Sequence, residues 1–488
     1  MRKFRFAALM MAVLLTVTAL TPAALAEEAS GTETSGAAEA TPTPAPVQPE
    51  EGFVCETLTE PNSKSIFMVS LDTGTVVFTM NPDERLPMAS LTKIMTYIVT
   101  CETVDDLMNT RTTVPASVAE ELEGTGSSLA EIQTGEEFTI YELLNLMMVP
   151  SGNDAALTLA KYVDGLNIAA GEDGAAYDEN GDGLMSFVEL MNRKAAELGC
   201  TNTHFMNPHG LHDENHYTTA REMAAITEFA LTLPYFSEIT SQTSYTQPPT
   251  NLTSEARTVT TTNRMLVETA EEHYTYATGI KTGSLNESGY CIAASASYDG
   301  YSYLCICLGS PYLDADGNHI DYHGEMYDAA TLFRWALTSI ENKTIVTDGD
   351  LIGEVDLKYV WNKDRIQVVA KGNVTAMLPT DLDESSIKMT LSLPDAVKAP
   401  VAKGDEVGTA TYTYKGEVLA EVPLVAAESV ERSEIIQTIE QGKEIITSPW
   451  FLITAGAILV LLVVYIALAV LMNRKRRKMR RVKKYRDL

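Results

Sequence analysis

Three short segments carry side chains that can cooperate on an amide bond. Ser90-Leu91-Thr92-Lys93 puts a hydroxyl and an amine three residues apart, a spacing that shares one face of a helix. An amine in a dry site loses its proton near neutrality and can then deprotonate the serine. At a helix start, Ser90 would also lie where free N–H groups stabilise an anion. Ser151-Gly152-Asn153 offers an amide with one donor and one acceptor group, and a hydroxyl that can pass a proton between Lys93 and a leaving amine. Lys281-Thr282-Gly283 offers a cation and a hydroxyl for a carboxylate, and a glycine that lets a ligand approach the backbone closely. Each tripeptide alone recurs by chance. Together, in this order and 58 residues from Lys93 to Ser151 and 128 from Asn153 to Lys281 apart, they make a strong joint signal.

These segments need positioning elements. SIFMVSLDTGTVVFTMN reads as a hairpin turning at Asp72-Thr73-Gly74. Residues 90–101 read as a buried helix carrying the first motif. Residues 139–163 read as two helical segments, with Ser151-Gly152-Asn153 in the interruption. Further helices are expected over 187–198, 217–233 and 326–340, and strands over 289–296 and 302–308, with Lys281-Thr282-Gly283 at this strand region. Strands, then helices, then strands predict an α+β domain built on one sheet, whose first and last strands meet. Beyond residue 341, short alternating segments such as RIQVVA and SIKMTLSL predict a small all-β domain.

The 66 acidic and 36 basic side chains give a formal net charge of −30. A nucleic-acid partner is not expected, because phosphate backbones call for Lys and Arg. The charge is uneven. Residues 474–488 hold ten Lys/Arg and one acid, and Arg2, Lys3 and Arg5 add three more, which leaves 23 basic against 65 acidic residues, a net of −42, between them. The ends explain this. A basic start, a short apolar run and Ala24-Leu25-Ala26 predict a secretory signal peptide over 1–26. Residues 27–52, rich in Ala, Thr, Pro and Glu, read as a disordered spacer. The uncharged run 450–472 would reach ~34 Å as a helix, enough to cross a bilayer. The basic residues 473–488 then belong in the cytoplasm, and the acidic body outside, anchored to the lipid bilayer. The expected organisation is a catalytic domain over 53–340, the all-β domain over 341–430, a juxtamembrane stalk over 431–449, the membrane helix and the tail. Six cysteines are too few for a disulfide scaffold of this size and read as core thiols; Cys305 and Cys307 would share one strand face.

The trio of motifs is that of class A β-lactamases and penicillin-binding proteins. With PMASLTKIMT, VPSGNDAA, NPHGLHDENHYTTA, TTNRML, GIKTG and SGYCIAASA around it, the chain resembles the low-molecular-mass penicillin-binding D-alanyl-D-alanine carboxypeptidases, the S11 type of serine peptidase, over roughly 53–445. KAPVAKGDEVGTATYTYKG and VPLVAAESV resemble that family's β-rich C-terminal module. The resemblance implies a penicillin-recognising serine-transferase fold, with helices packed on an antiparallel sheet. It implies Ser90 as acylated nucleophile, Lys93 as base, Ser151 and Asn153 as the second motif, and Lys281 and Thr282 on the substrate carboxylate. The backbone N–H groups of Ser90 and Ser284, the residue after Gly283, would form the oxyanion hole. The implied partners are peptidoglycan stem peptides, with β-lactams as covalent inhibitors, and no cofactor is required. A DD-endopeptidase or a non-catalytic penicillin-binding receptor or wall-tethering protein is the alternative. Many relatives have a threonine two residues after the glycine of this third motif, where this chain has Leu285. The glutamate that deacylates class A β-lactamases has no counterpart here; Glu189-Leu190-Met191-Asn192 has the wrong spacing.

Two metal readings arise. DENGDGLMSFVE matches a calcium loop with ligands Asp178, Asn180, Asp182, Ser186 and Glu189 and the Leu184 carbonyl, a possible structural calcium site. His204, His209, His212 and His216 cluster. Their overlap with the NPHGL stretch favours a structural loop over a metal site.

Overall fold

The computed structural model describes residues 44–170 and 184–486. The expected signal peptide over 1–26, and Asp178, Asn180 and Asp182 of the expected calcium loop, lie outside the described residues. In chain order the first domain contains β1 (Ser65–Ser70), β2 (Val76–Met80), α1 (Thr92–Thr103), β3 (Arg111–Thr113), α2 (Ala116–Leu122), β4 (Glu137–Thr139), α3 (Ile140–Met148) and α4 (Asn153–Ala170). It continues with α5 (Leu184–Glu197), α6 (Ala220–Leu231), α7 (Phe236–Thr240), β5 (Ser244–Gln247), β6 (Arg257–Thr260), β7 (Ala277–Leu285), β8 (Gly289–Tyr298), β9 (Tyr301–Ser310) and α8 (Gly324–Ser339).

Five of these strands form one antiparallel sheet in the order β2-β1-β9-β8-β7. The expected meeting of first and last strands is the β1–β9 pair, with Ser65 opposite Leu308. Side chains alternate across the sheet. Phe67, Val69, Ala293, Leu304 and Ile306 pack on one face with α1, α3, α4 and α6. Ile66, Met68, Ile292, Tyr303, Cys305 and Cys307 pack on the other with α8. Both faces are covered, so β1 reads as a continuous apolar run instead of an alternating one. Cys305 and Cys307 do share a face, their sulfurs 3.7 Å apart. Helix α1 packs against α4, α5 and α6 and buries every residue from Thr92 to Thr100. Helix α3 starts with a capping box, Thr139 accepting from the Glu142 N–H and Glu142 from that of Thr139.

Helix α8 is tied to the start of the sheet by one carboxylate. Buried Asp328 accepts from Asn62 N (3.1 Å), Asn62 Nδ2 (2.9 Å), Ser63 N (2.7 Å) and Ser63 Oγ (2.7 Å). Asp328→Ala leaves these donors without their acceptor and is expected to cost about 3 kcal/mol. Differential scanning calorimetry should show the domain melting ~6 °C or more lower; an unchanged melting curve would show the tie to be dispensable.

The second domain follows α8 directly, through β10 (Ile340–Val346), β11 (Leu351–Lys358), β12 (Arg365–Ala370), β13 (Val374–Pro379), β14 (Lys388–Ser392), β15 (Ala396–Lys398), β16 (Glu406–Tyr414) and β17 (Glu417–Ala426). Six strands form a sheet in the order β14-β16-β17-β12-β11-β15, and β10 pairs with β13. Ile340 and Met377 join the core beneath α8, which couples the two domains. Helices α9 (Glu434–Thr447) and α10 (Pro449–Arg486) complete the chain.

Several boundaries differ from expectation. The spacer ends before residue 52: Val47 N donates to Leu58 O and Phe53 N to Val77 O, both at 2.8 Å, because Val47 and Phe53 are apolar anchors beside the sheet. Ser90 sits on a 3-10 turn, Ala89–Leu91, just before α1. Lys281-Thr282-Gly283 lies on its own edge strand, β7. Helix α4 runs on to Ala170, Leu184 begins α5, and Glu189 lies exposed on α5. The expected tail continues α10 as helix to Arg486. The 28-residue stretch 449–476, apolar up to Met472, is a candidate membrane span by length and composition.

Candidate active site

Ser90 and Lys93 meet at the junction of the 3-10 turn and α1. Lys93 Nζ lies 2.8 Å from Ser90 Oγ, 2.6 Å from Asn153 Oδ1 and 2.8 Å from the His209 carbonyl. A lysine with no exposed surface pays heavily for its charge. Burial lowers its pKa well below the ordinary lysine value, nearby Lys281 lowers it further, and Asp154 partly opposes both. Once neutral, the amine keeps two N–H donors. Asn153 Oδ1 and His209 O can take both, which leaves the lone pair facing Ser90.

Asn153 is the first residue of α4, and the turn before it is tightly fitted. Ser151 has φ 64°, uncommon for a residue with a side chain. At Gly152 a Cβ would sit 2.7 Å from Leu146 O and 2.8 Å from the Ala130 Cβ, so glycine is required there for space. Asp154 was not singled out from the sequence. Its buried carboxylate accepts from Ala130 N (2.9 Å) and Ile132 N (3.2 Å) and clamps the preceding loop against α4. An acid in a first helical turn is the only sequence signal for it, and that signal is commonplace.

The loop 207–210 forms the opposite wall. Asn207 Oδ1 accepts from Gly210 N at 2.7 Å, and Thr96 Oγ1 donates to Pro208 O at 2.6 Å. Gly210 has φ 94°, and a Cβ there would lie 2.0 Å from Ala89 O. His209 therefore contributes its carbonyl to Lys93, not its imidazole, whose pKa burial pushes down to about 3. His204 Nδ1 bonds Asn215 O, and His216 is held between Thr92 and Met206. The histidine cluster thus shapes the loop, as its sequence context suggested.

The third wall is β7. A Cβ on Gly283 would come within 3.0 Å of both Ser90 N and Met88 O, so the missing side chain lets the edge strand close over Ser90. Lys281 is almost fully buried and donates to Thr282 O at 3.0 Å. Burial brings its pKa down to about 7. Thr282 Oγ1 lies 2.5 Å from Thr262 Oγ1. Thr262, one residue before Asn263, was another omission of sequence reasoning; the TTNRML string was its signal. Asn263 instead accepts from Met265 N (3.1 Å) and Arg264 pairs with Glu272 (2.7 Å). Ser284 follows on the exposed end of the strand. Hydrogen bonds thus join Ser90, Lys93 and Asn153, with Ser151 in the turn before Asn153, and Gly283, flanked on β7 by Lys281, Thr282 and Ser284, lies against Ser90 N. Among the described residues, no three His, Cys, Asp or Glu side chains converge as a metal-binding set.

A serine set against a dehydrated lysine, beneath the edge of an antiparallel sheet, is the arrangement of the penicillin-recognising serine enzymes. Comparison with known proteins narrows the class. The family model described as D-alanyl-D-alanine carboxypeptidase matches residues 54–311, more than half of the chain, and the chain belongs to that family of serine peptidases. A second model, penicillin-binding protein 5, C-terminal domain, matches residues 341–432. The D-alanyl-D-alanine carboxypeptidase DacF of Bacillus subtilis is 28% identical over 374 residues, 77% of this chain and 87% of that protein. DacC of Escherichia coli, of the same name, is 27% identical over 384 residues, covering 76% and 84%. The crystal structure of penicillin-binding protein 5 from Haemophilus influenzae matches with a TM-score of 0.54 at 25% identity, over 77% of this chain and 99% of that one. DacD from Francisella tularensis has the same fold, with a TM-score of 0.58 at 22% identity, over 80% and 96%.

Proposed function

We propose that the protein removes the terminal D-alanine from peptidoglycan stem peptides, working outside the cell while α10 holds it in the membrane. The observation that carries the reading is the Lys93 contact set, Ser90 Oγ at 2.8 Å and Asn153 Oδ1 at 2.6 Å, with Gly283 packed on Ser90 N. The family supports carboxypeptidase activity and a serine chemistry that needs no cofactor.

In this reading Lys93, neutral, takes the Ser90 proton as Oγ attacks the carbonyl of the D-Ala–D-Ala bond. The oxyanion forms between the N–H groups of Ser90 and Ser284. Ser151 passes the proton to the leaving amine, and Asn153 holds the substrate amide. Lys281, charged, and Thr282 bind the terminal carboxylate. D-alanine leaves, and water then releases the shortened peptide from Ser90. A β-lactam that imitates the dipeptide acylates Ser90 in the same way.

The test uses the full chain in detergent with a pentapeptide ending in D-Ala–D-Ala. Release of D-alanine, and labelling of Ser90 by a fluorescent penicillin, are expected. Folded protein that releases none would reject the activity. A crosslinked muropeptide in the same assay reports whether it also cuts crosslinks.

A further inference from the structure

The residue before the nucleophile is strained and held from behind. Ala89 has φ 46°, a left-handed conformation that costs energy for a residue with a Cβ. Its carbonyl accepts from the Thr92 backbone N–H and, at 2.7 Å, from Thr92 Oγ1. Having donated its proton, the Thr92 hydroxyl can only accept from its other neighbour, His216 Nε2, at 2.7 Å. Met206 N donates to His216 Nδ1 at 2.9 Å, so the imidazole carries its proton on Nε2. The three bonds form one directed chain, from Met206 N through His216 and Thr92 to Ala89 O. Burial keeps the ring neutral by lowering its pKa to about 4, which preserves that direction at neutral pH.

The peptide unit between Ala89 and Ser90 is planar, with its C=O and N–H pointing opposite ways. Fixing the carbonyl on the Thr92 side therefore aims the Ser90 N–H, which lies against Gly283 of β7. We propose that His216 is a positioning residue which, through Thr92, orients the Ser90 N–H that receives the oxyanion. The inference rests on reading Ser90 as the nucleophile. Neither side chain needs to touch substrate.

Two pairs of variants separate positioning from loop support. His216→Gln retains a donor toward Thr92, and His216→Asn retains an acceptor for Met206 N. Thr92→Ser keeps the hydroxyl, and Thr92→Val removes it at constant shape. Acylation rate, kcat and KM for D-alanine release, and the melting temperature are measured on the full chain. His216→Asn and Thr92→Val are expected to slow acylation by about 10–100-fold with KM little changed, short of the loss from deleting an oxyanion donor outright. His216→Gln and Thr92→Ser should stay within about threefold of wild type, and the slow pair combined should be no slower than either alone. Wild-type acylation by His216→Asn or Thr92→Val would overturn the proposal, as would rescue by His216→Asn but not His216→Gln. Wild-type protein that never acylates would instead reject the function on which the proposal rests.

Discussion

Lys93→Met is expected to lower D-alanine release by about 10⁴-fold or more, as much as Ser90→Ala should. Both residues serve one step, the transfer of the Ser90 proton as Oγ attacks, and either loss leaves a hydroxyl that is a weak nucleophile. The double variant is therefore expected to be no slower than either single one, since residues that act as a unit are non-additive. Lys93→Arg should be equally inactive. Guanidinium stays charged at any useful pH and cannot accept the proton. Methionine fills nearly the same volume among Asn153, His209 and Ser90, so a cooperative melting transition should persist and separate lost chemistry from lost folding. Single-turnover labelling with a fluorescent penicillin measures the same step directly. Lys93→Met protein that acylates within tenfold of wild type would remove Lys93 as the base.

Lys281→Met is expected to reduce kcat/KM by roughly 10²- to 5 × 10³-fold, matching the ~3–5 kcal/mol cost of leaving a buried charge unpaired, here the substrate carboxylate. It should also change the shape of the pH profile. In wild type, Lys93 works neutral and Lys281 works charged, and burial depresses both pKa values. On the acid side kcat/KM falls as Lys93 takes up a proton. On the alkaline side it falls as Lys281 loses one, near its free-enzyme pKa of about 7. Bound carboxylate stabilises the charged form, so the alkaline limb of kcat should lie at higher pH than that of kcat/KM. The Lys281 charge also lowers the Lys93 pKa. Removing it raises the Lys93 pKa, so in Lys281→Met the acid limb moves to higher pH while the limb near 7 disappears. A variant profile parallel to that of wild type would refute this division of labour. The two amines titrate as an interacting pair, so the limbs report apparent values of the pair.

The same two lysines show where sequence reasoning succeeds and where it stops. Residue type and spacing singled out Ser90, Lys93, Ser151, Asn153 and Lys281, because a few tripeptides in fixed order stand out in linear form, and the structure joins Ser90, Lys93 and Asn153 by hydrogen bonds. Short-range patterning also identified the hairpin now seen as β1 and β2, the β-rich second domain and the long apolar helix α10. Such patterns report which face of an element is buried. They do not report which distant element covers it. The His209 carbonyl reaches Lys93 across 116 residues, His216 reaches Thr92 across 124, and Gly283 closes on Ser90 from a strand at the far edge of the sheet. Asp154 and Thr262 went unnoticed because each acts on a loop or strand that periodicity does not link to it.

By itself the sequence determined the chemistry available to this protein: a serine, two amines and an amide in a recognisable order, on a chain with an apolar helix near its end. Only the tertiary structure decided their charge states and aim. An amine's basicity depends on how much water its neighbours exclude, and an N–H points where the hydrogen bonds behind it hold the peptide plane. Both are set by packing between segments far apart in the chain.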